Sequence, residues 1–128
     1  MNKINWFINT LLAVHLILFG SLCQAKMSQN DESIQDFGVA TYYSDSYHGK
    51  RTASGEIYDK RKLTTVHTTY PFGTVLRVTN LKNNRSVIVK VNDRAPLRNN
   101  HKLDLSRRAA VALDFIKAGR ANVKIEAI

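Results

Sequence analysis

A chain of 128 residues with 19 Lys and Arg against 10 Asp and Glu has room for one domain and carries a net charge of +9. Such an excess draws a protein to polyanions: acidic glycans, an envelope surface or nucleic acid. The sequence contains no helix-turn-helix, zinc-finger or aromatic-strand motif of the kinds that read bases, which sets nucleic acid aside, and its single cysteine excludes a disulfide framework.

Residues 1–25 have the layout of an export signal. Lys3 precedes an apolar stretch from Leu11 to Gly20, interrupted by His15, and Cys23-Gln24-Ala25 supplies the small-residue exit. The stretch is shorter than the roughly 20 apolar residues that a spanning helix needs. Cleavage after Ala25 removes one lysine and no acid, taking the charge from +9 to +8, and removes Cys23, leaving no disulfide partner. The alternative is a lipid anchor on Cys23, for which Leu22 is a poor preceding residue because that processing wants a small one. Either route predicts an exported protein of the periplasm or cell envelope.

Lys26 to Asp36 is polar and aperiodic, and is expected to be a disordered leader to a domain over 37–128. Gly38 to Tyr43 has strand composition; Ser44 to Gly55 is a long polar loop. Leu63 to Val66 predicts a weak strand, and Pro71-Phe72-Gly73-Thr74 a turn into a strand over Val75 to Asn80. Lys82 to Arg85 forms a hairpin tip, with Ser86 to Asn92 returning. Asp104 or Ser106 is expected to cap a helix running to about Leu113, and Ala121 to Glu126 alternates as a last strand. A mainly β chain of short strands with little helix predicts a small barrel, whose closure leaves no exposed edge.

Chemistry concentrates at the end of Val87-Ile88-Val89-Lys90-Val91-Asn92-Asp93. Pro96 cannot extend the ladder, so a rigid strand delivers Asp93 to its own end. An isolated Asp-Arg-x-Pro is also a common turn cap or ion pair. No pair of histidines or acids has ligand spacing, so neither metal nor other cofactor is expected.

Taken together, Gly38 to Tyr43, His48 to Glu56, Leu63 to His67, Val75 to Asn80, Val91 to Pro96 and Leu103 to Ser106 resemble the rare lipoprotein A family. The resemblance implies a six-stranded double-psi β-barrel with one or two short helices. It also implies a lytic transglycosylase acting on peptidoglycan glycan strands, preferably those stripped of stem peptides. Members often carry a C-terminal module that binds denuded glycan; none follows here, so septal targeting is not carried over. By motif, Asp93, Glu56 and His67 take the catalytic places. Tyr43, Arg51, Thr52, Ser54, Asn92 and Arg94 are expected around the sugar, Asp104 and Ser106 as structural braces, and the protein as a monomer. Two departures stand out: Tyr42-Tyr43-Ser44 replaces the usual Trp-Tyr-Gly, and Ala95 replaces a glycine that matters if its turn needs positive φ.

Lytic cleavage needs a proton for the leaving oxygen and a base for the sugar's own 6-hydroxyl, and one carboxyl can serve both in turn. For Asp93 to act first as acid, burial and the like charge of Glu56 must lift it from the ordinary value of about 3.9, with Arg94 turned away. His67 would donate to the sugar or to Asp93, unless it is a satisfied core histidine. A two-carboxylate hydrolase using Glu56 and Asp93, and a non-catalytic glycan-binding barrel, are the alternatives.

Overall fold

The structure, a computed structural model, describes residues 34–128. The expected export signal, Cys23 and most of the leader lie outside the described residues. Six strands form: β1 (Gln35–Tyr42), β2 (Thr64–Val66), β3 (Val75–Asn80), β4 (Ser86–Asp93), β5 (His101–Leu105) and β6 (Ala121–Ala127). They close in the order β1-β5-β2-β4-β3-β6, with β1–β5 and β2–β4 parallel and the other neighbours antiparallel. This is the double-psi barrel.

Period-2 alternation builds the interior. Leu76 and Val78, Val87, Val89 and Val91, Leu103 and Leu105, and Val123 and Ile125 point inward and pack with Ala109, Ala110, Leu113 and Phe115. Each large aliphatic side chain buried here contributes about 1.5–3 kcal/mol. Among the described residues one α-helix, α1 (Arg107–Ala112), follows β5, and a 3-10 turn (Asp45–Tyr47) lies in the first long loop.

Two expectations need correction. β1 begins at Gln35, inside the expected leader, because Gln35, Asp36 and Phe37 pair with Glu126, Ile125 and Lys124. Asp104 does not cap the helix: Ser106 does, its Oγ accepting from Ala109 N–H at 3.4 Å, while Asp104 is a residue of β5. β5 itself escaped the sequence reading because only Leu103 and Leu105 alternate in it.

Both parallel pairs slip register by one residue. Val39 faces His101 but Ala40 faces Leu103, leaving Lys102 extra; Thr65 faces Val91 but Val66 faces Asp93, leaving Asn92 extra. Gly38 is demanded at the first slip, where a Cβ would lie 2.7 Å from the Asn100 carbonyl oxygen and closer still to Lys102 Cγ. The second slip has chemical consequences. Without it Asp93 would share the inward face with Val89 and Val91; the extra residue turns it outward. Thr41, Asp104, Val66 and Asp93 are then successive register partners across β1, β5, β2 and β4, one row on the barrel's outer face.

Candidate active site

Asp93 ends this row half-buried, and three donors converge on it. Oδ1 accepts from Ala53 N–H (2.9 Å) and from Arg94 N–H (2.8 Å), and Oδ2 accepts a very short bond from the Tyr43 hydroxyl. Among the described residues it forms no ion pair. The Arg94 guanidinium turns away, donating to the His67 carbonyl at 3.0 Å and lying 4.7 Å over the Phe72 ring. Ala95 is not among the residues with positive φ, so the alanine in place of glycine brings no backbone strain.

Tyr43 is 7% exposed, stacked on Tyr58 at 4.2 Å and edge-on to Tyr47 at 5.7 Å. Burial first, then the bond to Asp93, pushes its phenol far above the ordinary tyrosine range. It therefore stays a neutral donor aimed at the carboxylate, with its ring held too deep to serve as an open sugar platform.

The expected loop residues build the loop that covers Asp93. Arg51 bridges back to Ile57, and its guanidinium donates to the Gly55 carbonyl at 2.6 Å. Thr52 donates to the Glu56 carbonyl, and Ser54 Oγ accepts from Glu56 N–H; Ser54 N–H donates to the Asn92 carbonyl at 3.3 Å. These bonds close a tight turn whose Gly55 has φ 90°, and the turn presents the Ala53 amide to Asp93. Asn92 is 2% exposed, its amide donating to Glu56 Oε2 at 3.4 Å. Its place is beneath the loop, away from the open face.

Glu56 does not act on Asp93 as the like charge the sequence suggested. Its carboxylate is exposed and accepts from Lys90 Nζ at 3.1 Å, and that bond, with the one from Asn92, holds it below the usual carboxylate range. An ionised, paired glutamate is a poor proton donor. His67 likewise makes no ring contact with Asp93. Its Nδ1 accepts from Thr69 N–H (3.1 Å) and Tyr70 N–H (2.9 Å), its ring stacks on Tyr70 at 4.1 Å, and only its backbone N–H reaches the Asp93 carbonyl. Burial, then the Arg94 charge, lowers its pKa below the ordinary histidine value, so the ring is neutral with its proton on Nε2.

Asp104, expected as a structural brace, lies in β5 on the outer face, two strands from Asp93. Burial raises its pKa above the ordinary carboxylate range, although Thr41 donates to its Oδ1 at 3.2 Å and His101 is close. Only the unrecognised strand β5, with Leu103 and Leu105 inward, would have revealed that Asp104 faces the same way as Asp93. Among the described residues no three His, Cys, Asp or Glu side chains gather as a metal site.

The sequence profile of the lytic transglycolase family matches residues 36–125, which contain the whole of this arrangement. The chain belongs to that family. Over 94 residues it is 51% identical to the probable endolytic peptidoglycan transglycosylase RlpA of Treponema pallidum, a match covering 73% of this chain and 30% of that one. Over 91 residues it is 50% identical to the endolytic peptidoglycan transglycosylase RlpA of Campylobacter jejuni, covering 71% and 33%. The chain thus spans about a third of the length of these relatives. Among solved structures it resembles the Streptomyces papain inhibitor (TM-score 0.60, 24% identity, covering 74% of this chain and 94% of that one). It also resembles the expansin of Clavibacter michiganensis (TM-score 0.58, 25% identity, covering 74% and 50%). These two likenesses are of fold, and the family rests on the profile and the relatives.

Proposed function

We propose that this lytic transglycolase domain is an endolytic peptidoglycan transglycosylase. It acts outside the cytoplasm on glycan strands and leaves 1,6-anhydro-muramyl ends. The observation that carries the reading is Asp93: an outward carboxylate at a strand end, fixed by the Ala53 and Arg94 amides and the Tyr43 hydroxyl, and free of any ion pair among the described residues. The relatives' names, endolytic peptidoglycan transglycosylase, support the same substrate class.

In this reading Asp93 takes the proton of the 6-hydroxyl as that oxygen attacks the anomeric carbon of its own ring, while the bond to the departing O4 breaks and that oxygen receives a proton. The nucleophile is already part of the sugar, so no water has to be positioned. Tyr43 keeps the carboxylate's orientation, and the basic surface draws the acidic wall to the domain. Glu56 acts by holding the covering loop through Lys90 and Asn92, and His67 by holding the turn at Thr69 and Tyr70. Periplasmic residence, with or without a lipid on Cys23, and a monomeric state complete the proposal.

The test is mass spectrometry of fragments released by the full chain from sacculi stripped of stem peptides. Anhydro-muramyl ends are expected. Reducing ends would assign a hydrolase instead, and binding without release would assign a glycan-binding barrel.

A further inference from the structure

Departure of O4 requires a proton that Asp93, engaged as the base, does not supply. Resting on the transglycosylase reading, we propose that Asp104 delivers that proton and that His101, acting through Thr41, is the positioning residue that returns one to it. Asp93 and Asp104 are the two register partners of Val66, so their Cα atoms lie two strand spacings apart, roughly 9.6 Å, with both side chains on the outer face. Val66 between them is 2% exposed and packed with Tyr43 and Tyr58, so the two partly exposed carboxyls flank a buried apolar residue.

The two carboxyls are solvated differently. Asp93 accepts three hydrogen bonds, whereas Asp104 accepts one, from Thr41, on a row backed by the apolar cluster of Tyr43, Tyr58 and Val66. The groups that face Asp104 are Asp93, Tyr43, Tyr58 and His101. Burial raises the pKa of Asp104, the direction a proton donor requires.

The return line is directional. His101 Nε2 lies 3.0 Å from the Leu103 carbonyl oxygen, which only accepts, so Nε2 bears a hydrogen. The same Nε2 is 2.8 Å from Thr41 Oγ, and Thr41 Oγ is 3.2 Å from Asp104 Oδ1. His101 also lines a cleft of about 250 Å³ with His67, Asp36 and Lys102, through which solvent protons reach it. After a turnover Asp93 holds the O6 proton and Asp104 is bare. Asp93 releases its proton to water; His101 passes its Nε2 hydrogen to Thr41 Oγ as the Thr41 hydroxyl hydrogen moves to Asp104, and takes up a proton from water in the cleft at its other ring nitrogen. Exchange with water returns the imidazole to its resting tautomer, and no proton is gained or lost overall.

The experiment compares the full-length wild type with Asp104→Asn, Thr41→Val, Thr41→Ser and His101→Gln on denuded sacculi. It measures kcat, KM and the pH profile, with the infrared carbonyl stretch of a protonated carboxylic acid as a readout independent of turnover. Asp104→Asn is expected to lower kcat about 10²–10⁴-fold with KM little changed, and to abolish an acid carbonyl band that Asp93→Asn retains. Thr41→Val should lower kcat, with Thr41→Ser restoring it, and His101→Gln should lower kcat with KM little changed. Anhydro product from Asp104→Asn at the wild-type rate, or an acid band unaffected by that substitution, overturns the proton line and leaves the transglycosylase reading standing. A wild type that releases no anhydro ends while showing the Asp104 band overturns that reading, and the catalytic role of the line with it.

Discussion

The two ends of β4 lie in different surroundings, beside a cleft at one and in a row of polar side chains at the other. Near its start, a cleft of about 650 Å³ is lined by Asn80, Asn83, Asp114, Phe115 and Arg120 among others. Near its end lies the outer row of Thr41, Asp104, Val66 and Asp93. In the cleft the amides are committed to backbone: Asn80 and Asn83 both donate to the Leu113 carbonyl, at 2.9 and 3.0 Å, and their side-chain oxygens accept from Lys82 and Arg85. Along the row, Thr41 joins His101 to Asp104 side chain to side chain, Asp93 accepts from Tyr43 and two backbone amides, and the two carboxyls exchange protons in the proposed chemistry. Volume measures room; the destination of the polar groups distinguishes structure from function.

The largest effect is expected from Asp93→Asn, which should reduce turnover by about two to four decades while glycan binding and thermal stability persist. Cleavage at the wild-type rate would remove the outer row from the chemistry. At the opposite end, Asn80→Ala leaves the buried Leu113 carbonyl with one donor fewer and Lys82 N–H without its acceptor, which should destabilise the fold by about 1–3 kcal/mol in urea titration. Turnover per folded molecule should not change; a loss would bring the large cleft into function.

Between these lies pH. His67 has a folded pKa below its unfolded value of about 6.5, so its contribution to stability is complete above that pH. The contribution declines as pH falls from there toward the folded pKa, because the unfolded chain takes up the proton first. Melting temperatures measured from pH 8 to pH 5 should show this decline in the wild type and a flatter curve in His67→Asn, whose side-chain oxygen can still accept from Thr69 and Tyr70. The smallest effect belongs to Glu56→Gln. It loosens an exposed Lys90 pair worth about 0–1 kcal/mol, and should alter kcat by less than tenfold; a loss as deep as that of Asp93→Asn would restore Glu56 to the reacting groups.

Much of the barrel was legible. Val75 to Asn80 and the strand after the Lys82–Arg85 tip could be read because one face of each is wet and the other dry, and a period of two survives in composition. β5 could not, because its five residues hold only two alternating hydrophobics and its identity as a strand comes from pairing with β1 and β2 on either side. The same blindness misassigned Asp104, since the residues just before a helix suggest a cap whenever the strand behind them goes unseen. Glu56 and His67 were placed by motif, yet a motif does not reveal that Lys90 or the amides of Thr69 and Tyr70 already occupy their polar atoms.

The amino-acid order by itself determined most of the strand material, a helix start at Asp104 or Ser106, the basic charge and the presence of a carboxyl at a strand end, because each depends on neighbours a few residues away. The facing of that carboxyl, its union with Tyr43 and the Ala53 amide, and its alignment with Asp104 and Thr41 were decided by barrel closure and by one extra residue at Asn92. Those relations join positions up to 63 residues apart, and a register shift of a single residue turns a side chain from one face of a sheet to the other.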